Sequence, residues 1–221
     1  MIPAIILSLE LAGCTTLVLL LVGVPLAWWL ARAQGWWVEA CGAVVALPIV
    51  LPPTVLGFYL LVLLGPNGPL APVLGLFGLH TLAFSFTGLV IGSVIYSLPF
   101  MVQPVRAAFQ AIGPAPLEAA LTLRAKPFDA FISVALPLAQ GGIITGAILS
   151  FAHTLGEFGV VLMLGGDIPG RTELVSILIF NDVDTLQWGE AGRLAAGMAA
   201  FAFIAVLATF VVEKRVARRR A

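Results

Sequence analysis

Long apolar stretches, separated by short polar or Gly/Pro-rich segments, dominate this chain of 221 residues. A membrane-spanning helix needs about 20 predominantly apolar residues, and five stretches are long enough. They cover approximately residues 4–30, 40–64, 82–102, 131–164 and 194–212. Because a backbone in lipid must satisfy its hydrogen bonds internally, each stretch is expected to be helical. The pattern predicts an all-α integral membrane protein, a polytopic bundle of about five to six transmembrane helices.

Two segments interrupt this pattern. Residues 65–78 are rich in Gly and Pro and separate the second stretch from the third. Residues 165–193 are mixed, and their apolar run 174–180 is too short to cross a bilayer. We therefore expect a re-entrant or surface helix there, with residues 174–186 as part of a sixth span as the alternative.

Composition supports a membrane protein. Hydrophobic residues make up 61% of the chain and charged residues 10%, with a mean hydropathy of +1.10. A soluble domain is about 45–50% apolar and about 25% charged. Because apolar stretches recur to the end of the chain, a signal peptide cannot explain them. The two cysteines and two histidines form no cluster in the sequence, so no disulfide framework, metal site or cofactor is predicted.

Lysine and arginine are distributed unevenly between the two sides of the predicted bundle. One side carries Arg32, Arg106, Arg124, Lys126, Lys214, Arg215, Arg218, Arg219 and Arg220, and the other carries Arg171 and Arg193. Short cytoplasmic loops carry an excess of these residues. The amino terminus is therefore predicted to lie outside the cell and the carboxyl terminus inside. The basic tail 213–221 directly follows a span, which favours membrane anchoring over nucleic-acid binding.

The loop between the third and fourth stretches contains a short predicted helix. Prolines flank residues 117–124, whose composition favours a helix of about two turns. A helix this short is marginal alone and persists mainly when packed. Glu118 near its start is favoured by the helix dipole, and Ala119 with Ala120 offers a flat surface for another protein. From the residues alone, a loop helix lying on the membrane is an equal alternative.

The residues of this loop resemble a known signature. Glu118-Ala119-Ala120, followed by Ala125, Phe131 and Ala135-Leu136-Pro137, resembles the EAA motif of ABC importer permeases. In that family the loop is a coupling helix that docks into a cleft of the ATPase subunit. The resemblance implies that the ATPase-coupling residues are Glu118, Ala119, Ala120, Leu121, Leu123, Arg124 and Ala125.

The likeness extends over most of the chain and narrows the family. The elements that resemble molybdate permeases are residues 47–53 with Gly57, residues 97–99 with Arg106, and residues 155–159 and 168–170. Sulfate permeases have a sequence similar to the LGEFG element at residues 155–159, so this element alone does not distinguish the two families. The resemblance implies a type I ABC importer permease fold, with residues 1–221 as one transmembrane domain and a coupling loop at about 103–130. It also implies the cytoplasmic membrane of a bacterium or archaeon.

The family resemblance also implies partners and a mechanism. A homodimer would work with two ATPase subunits and a soluble molybdate-binding protein, and would import molybdate by alternating access. The chain has no G-x-x-x-x-G-K-[ST] phosphate loop, so ATP must be bound by a separate subunit and the chain is not predicted to be an enzyme. Sulfate, thiosulfate or tungstate is the alternative cargo. In another class, the chain would be a stand-alone secondary transporter or channel driven through Glu157.

One position departs from the family pattern. The family usually has Gly four positions after the second Ala of the motif, and this chain has Arg124. Glycine would allow a left-handed backbone at the end of the short helix, which Arg tolerates poorly. The sequence therefore does not determine the geometry of this turn. Lys126 followed by Pro127 offers another way to end the helix.

Acidic residues at membrane depth are candidate functional groups. The predicted pathway or gate residues are Glu157, Gly156, Phe158, Gly159, Pro52 and Pro53, with Glu10 as a weaker candidate. On a continuous helix His153 would share a face with Glu157 and pair with it. Alternatively, Glu157 caps a helix break. The predicted span interiors contain no Lys or Arg, so we expect the permease to hold an anion weakly, while a binding protein supplies affinity.

Overall fold

The computed structural model describes residues 1–220. The side chains of residues 213 and 216–220, which make up most of the basic tail, lie outside the described part. The described residues form eleven α-helices and one π-helical segment. In chain order they are α1 Ile2–Arg32, α2 Trp36–Val50, α3 Pro53–Leu64, α4 Ala71–Leu76, α5 Phe86–Ile112, α6 Ala115–Thr122, α7 Pro127–Ala130, the π segment Phe131–Ala135, α8 Leu136–Leu155, α9 Gly159–Gly165, α10 Val175–Asp184 and α11 Trp188–Arg220.

Four helical segments within the described residues are long and apolar enough to cross a membrane. They are Ile2–Arg32, Phe86–Ile112, Pro127–Leu155 and Trp188–Val212, and the bent pair α2–α3 brings the number to five if it counts as one span. The prediction of a polytopic helical membrane protein is thus confirmed. The individual stretches differ from expectation in three places.

The second stretch, expected as one span over 40–64, is broken in the middle. Helices α2 and α3 meet at an angle of 113°. The break lies at Leu51 and Pro52, whose ψ angles of 134° and 136° are extended. Proline disfavours helical backbone in the residue before it and donates no amide hydrogen. Two consecutive prolines, Pro52 and Pro53, therefore end α2 and begin α3 in a new direction.

The third span is longer than expected, and the loop after it is shorter. Ser85 caps α5 by accepting a hydrogen bond of 3.1 Å from the Gly88 amide. The helix then continues to Ile112, ten residues beyond the predicted end at 102, because neither Pro99 nor Pro104 ends it. Regular helix therefore occupies residues 103–112, the first part of the coupling loop predicted at about 103–130.

The fourth stretch, expected over 131–164, contains a helix end that hydropathy did not reveal. Helix α8 stops at Leu155 and α9 begins only at Gly159. The stretch far exceeds the about 20 residues that a span requires, so its last part is free to fold back into the bundle. Helix α10 confirms the helix expected in segment 174–186, and its 10 residues are too few to cross a bilayer alone.

Helix α5 lies at the centre of the bundle, between α1 and α8. Leu19 of α1, Met101 of α5 and Ala139 of α8 are fully buried in one apolar cluster. Close helix approach depends on glycine: a Cβ at Gly142 of α8 would lie 2.4 Å from the Ala108 Cβ of α5. Helix α11 is peripheral, since only 6% of its spanning window is buried. The tight α1–α5–α8 core fixes the positions of both candidate sites.

Candidate functional site

The first site is the segment from α6 to α7, at the end of α5 that carries Ile112. Leu117 is buried beside Phe109 and Ala130 in the central cluster. Leu117 is the main anchor that holds one face of α6 against the bundle. The other face is open, because Glu118 and Ala119 are exposed. Since tertiary packing stabilises a short helix, Leu117 explains why two turns persist here.

Helix α6 ends in a Schellman motif centred on Arg124. The Arg124 amide donates to the Leu121 carbonyl at 2.9 Å, and the Ala125 amide donates to the Ala120 carbonyl at 3.1 Å. Arg124 has a φ of 63°, in the left-handed region that glycine normally occupies. The arginine therefore takes the same backbone conformation that the family's usual glycine would allow, and the alternative helix end at Lys126 and Pro127 is not used.

An apolar surface surrounds this turn. Leu123 is 84% exposed, Phe128 is 71% exposed and Leu121 is 47% exposed. Three large apolar side chains on so short a segment, next to the Arg124 charge, form a patch of the kind that binds protein partners. We call Leu121, Leu123, Arg124 and Phe128 the α6–α7 surface. Of the predicted coupling residues, Ala120 differs from the rest because it packs partly against the central cluster.

The second site is a cavity of about 490 Å³ beside the break between α8 and α9. Its lining residues are Pro53, Thr54, Tyr96, Ala152, His153, Gly156, Glu157, Phe158 and Gly159. Of the six residues predicted for a pathway or gate, Pro52 alone is not part of this lining. The broken helix α2–α3 and the broken stretch α8–α9 therefore meet here. A Cβ at Gly159 would lie 2.7 Å from the Pro53 Cβ, so glycine is required for this contact.

Glu157 is 3% exposed and occupies the break itself. Its backbone carbonyl accepts a hydrogen bond of 2.6 Å from the Ser176 hydroxyl of α10. The Ser93 hydroxyl of α5 faces the carboxylate. Within the described residues, however, neither Ser93 Oγ nor either carboxylate oxygen completes a hydrogen bond of normal geometry. The idea that the carboxylate caps the helix break is therefore wrong.

The expected pairing of His153 with Glu157 is also wrong. The helix ends between them, and His153 Nδ1 instead lies 2.9 Å from Ser97 Oγ. Ser97 Oγ is also 2.9 Å from Thr154 Oγ1. The His153 ring stacks on Phe100, with centroids 3.9 Å apart. These contacts fix the imidazole in the cavity wall and leave the Glu157 carboxylate unpaired.

Sequence reasoning missed the hydroxyl groups of this site. Ser93 and Ser97 are fully buried in α5, one helical turn apart on the same face. Their spacing within an apolar stretch was a usable signal, although it does not identify their partners. Tyr96 and Thr54 complete the polar part of the lining.

The expectation that span interiors lack Lys and Arg is wrong for Arg106. This residue lies inside α5, six positions before its end, because the helix is longer than expected. Its Nε is buried without a hydrogen-bond partner among the described residues. The guanidinium packs against α2 at Gly42, where a Cβ would lie 3.2 Å from one of its nitrogens. Arg106 does not line the cavity at Glu157.

A bundle of spanning helices with a polar cavity at helix breaks and an exposed short helix at one end defines a membrane transport subunit. The chain belongs to the family described as binding-protein-dependent transport system inner membrane component, whose model matches residues 23–219. It is a multi-pass permease subunit of a bacterial ABC importer, not an enzyme. Such permeases work with an ATPase subunit, which hydrolyses ATP, and with a periplasmic binding protein.

Sequence relatives support this family, and a solved structure shares the fold. The chain is 58% identical to the molybdenum transport system permease protein ModB of Azotobacter vinelandii, over 94% of the chain and 92% of that protein. It is 36% identical to ModB of Escherichia coli K12, over 99% of the chain and 95% of that protein. A permease chain in the crystal structure of a bacterial alginate ABC transporter with its periplasmic protein matches with a TM-score of 0.77 at 20% identity. That match covers 97% of this chain and 78% of the other. The structural match supports the type I permease fold.

Proposed function

We propose that this chain is the permease of a molybdate importer. The observation that carries the proposal is the 58% identity to a molybdenum transport permease over 94% of the chain. Two copies would face each other around the conduit, each with one ATPase subunit, and one soluble binding protein would deliver the anion. Four or five spans are too few to enclose a conduit easily, which favours the homodimer.

The amino terminus is proposed to lie outside and the α6–α7 surface in the cytoplasm. The larger share of lysine and arginine lies in the segments at the α6 end of the bundle, as the positive-inside rule requires of the cytoplasmic side. This orientation gives the α6–α7 surface access to a cytoplasmic ATPase. It also places α4 and the loop before α5 on the outer side.

The α6–α7 surface is proposed to be the ATPase contact. Leu121, Leu123 and Phe128 would enter an apolar cleft, while Leu117 holds the helix on the permease. When ATP closes the ATPase pair, the two coupling helices would be drawn together and the spans would open outward. Hydrolysis would restore the inward-facing state.

The cavity at Glu157 is proposed to be part of the anion pathway. Among the described residues, neither lysine nor arginine lines it, so they offer no cation there that would trap a dianion. This supports a weakly binding, gated path, with affinity and selectivity supplied by the binding protein. Micromolar binding of molybdate to the purified permease alone would contradict this part of the proposal.

The decisive experiment is oxyanion uptake into proteoliposomes that contain the permease, its ATPase and its binding protein. Uptake should require all three components and ATP, and molybdate should compete better than sulfate. Uptake by the permease alone, without nucleotide, would refute the importer model. Preferential uptake of sulfate, thiosulfate or tungstate would retain the importer and change its cargo.

A second experiment tests the ATPase contact with a matched pair of variants. Leu123→Asp places a charge on the α6–α7 surface and should weaken ATPase binding at least tenfold, about 1.4 kcal/mol, in detergent solution. Leu76→Asp is the control, because Leu76 is 83% exposed, as Leu123 is, but lies on α4. Equal binding by the two variants would show that the ATPase docks elsewhere.

A further inference from the structure

The cavity at Glu157 has an acidic residue in its lining, although the cargo proposed to pass through it is an anion. An ionised carboxylate would repel an oxyanion that passes beside it, and the described lining residues include no Lys or Arg to offset that repulsion. Glu157 is 3% exposed and sits in the break between two helices. Both carboxylate oxygens are buried in this state, so contact with the anion requires the side chain to turn toward the cavity when the path opens.

The local contacts show what the carboxyl group lacks. Both of its oxygens and the neighbouring Ser93 hydroxyl are buried without a hydrogen-bond partner among the described residues. Burial of an unpaired charge is far more costly than burial of a neutral polar group. A protonated carboxyl group has one O–H donor, and a buried carboxylic acid can serve as a hydrogen-bond donor to an anionic oxygen.

Other neutral donors converge on the same cavity. The first turn of α3 begins there. Pro53 has no amide hydrogen, and the Val55 and Leu56 amides both donate to the Pro52 carbonyl. Of the amides in this turn, the Thr54 N–H is left to interact with a negative charge. The Tyr96 hydroxyl and the Thr54 hydroxyl belong to the same lining. An oxyanion could therefore exchange part of its hydration shell for several uncharged donors.

We propose that Glu157 meets the oxyanion as a neutral carboxylic acid and donates a hydrogen bond to it, so that the cavity binds the anion without a cation. This inference rests on the proposed function, in which the anion passes through this cavity. Each passage then requires the protonated acid, and ionisation of Glu157 closes the path electrostatically. No bond is made or broken beyond the transfer of one proton between Glu157 and water.

The titratable groups that face Glu157 are few. Tyr96 of α5 and His153 of α8 share the cavity lining with it. The neighbouring side chains from α3 and α10, Thr54 and Ser176, are neutral hydroxyls. His153 is held by Ser97 and Phe100. A pH effect on the path therefore belongs to Glu157, His153 or Tyr96, and substitution separates them.

The test compares Glu157→Gln with Glu157→Ala in the complete transporter, with uptake measured from about pH 6 to about pH 9. Glutamine is neutral, similar in size and a hydrogen-bond donor, so Glu157→Gln should keep substantial uptake. Wild-type uptake should fall as pH rises, by up to about tenfold per pH unit once ionisation dominates, and this fall should vanish in Glu157→Gln. Glu157→Ala should be impaired at every pH.

Controls separate this role from a structural one. Glu10→Gln, at an exposed position on α1, should keep the wild-type pH profile. All variants should bind the ATPase normally, which shows that they are folded. Uptake by Glu157→Gln as low as by Glu157→Ala, or with the wild-type fall at high pH, would overturn the proposal. A wild-type complex that transports no oxyanion at any pH would instead refute the proposed function.

Infrared spectroscopy provides a test that does not depend on the activity of any variant. Wild-type permease should show the absorption band of a protonated carboxyl group at neutral pH, and Glu157→Gln should lack it. If the band is absent from the wild-type protein, or unchanged in Glu157→Gln, Glu157 is ionised and the proposal is wrong.

Discussion

The left-handed conformation of Arg124 makes a quantitative prediction about the α6–α7 surface. Left-handed backbone costs a residue with a Cβ about 1–2 kcal/mol, and Arg124 has a φ of 63°. Glycine avoids that cost but loses about 0.4–1 kcal/mol through the greater freedom of its disordered chain. Between Arg124→Ala and Arg124→Gly, which both remove the charge, the glycine variant should hold the turn more firmly by about 1 kcal/mol.

Hydrogen–deuterium exchange of the purified permease measures this difference at the relevant amides. The Arg124→Gly protein should exchange the amides that close the turn, those of residue 124 and Ala125, about fivefold more slowly than the Arg124→Ala protein. Ala119→Gly is a control of opposite sign. Ala119 is helical and exposed, so glycine there should destabilise α6 by about 1 kcal/mol and speed exchange.

Two outcomes of this exchange experiment would contradict the prediction. If Arg124→Gly exchanges as fast as Arg124→Ala, or faster, the backbone at position 124 is not left-handed in solution, and the Schellman motif is not the end of α6. If Arg124→Gly and Ala119→Gly both speed exchange, the segment responds to chain flexibility alone, and the left-handed φ at position 124 does not control the stability of the turn.

Two further predictions concern packing in the bundle. Gly142→Ala should lower the midpoint of thermal unfolding, at a cost of about 1–3 kcal/mol, because its Cβ would lie 2.4 Å from the Ala108 Cβ. The control Gly13→Ala has no atom within 4 Å of the new Cβ and should be neutral or stabilising. An equal loss of stability in the two variants would show that the close contact at position 142 is not the cause. Ser97→Ala should lower stability by about 1–3 kcal/mol, because the buried Thr154 hydroxyl and the partly buried His153 Nδ1 both lose a partner. Unchanged thermal unfolding of Ser97→Ala would show that water replaces the hydroxyl without loss.

Hydropathy located the simple spans well and the broken ones poorly. Helix α1 extends two residues beyond the predicted stretch 4–30 at each end. Helix α5 was predicted to end ten residues too early, because residues 103–112 are polar enough to resemble a loop while their backbone remains helical. The polarity of a segment indicates whether lipid, protein or water surrounds it, but it does not indicate where a helix ends.

The site was predictable only in part, for a similar reason. The stretch on both sides of Glu157 is apolar, so hydropathy gave no sign of a helix end, and the spacing of His153 and Glu157 falsely suggested a pair. The actual partner of His153 is Ser97, which lies 56 positions away in the sequence. A contact of that kind depends on how α5 packs against α8, and local periodicity cannot supply it.

The π segment Phe131–Ala135 has a mechanical consequence. It joins α7, next to the α6–α7 surface, to α8, which ends beside Glu157. Helix α8 has 20 residues and is therefore about 30 Å long. A tilt of about 10° at the π segment would swing the far end of such a rod by roughly 5 Å, more than the width of a water molecule. A small rotation at the proposed ATPase contact would thus be amplified by leverage into a displacement of several ångströms beside the proposed anion pathway.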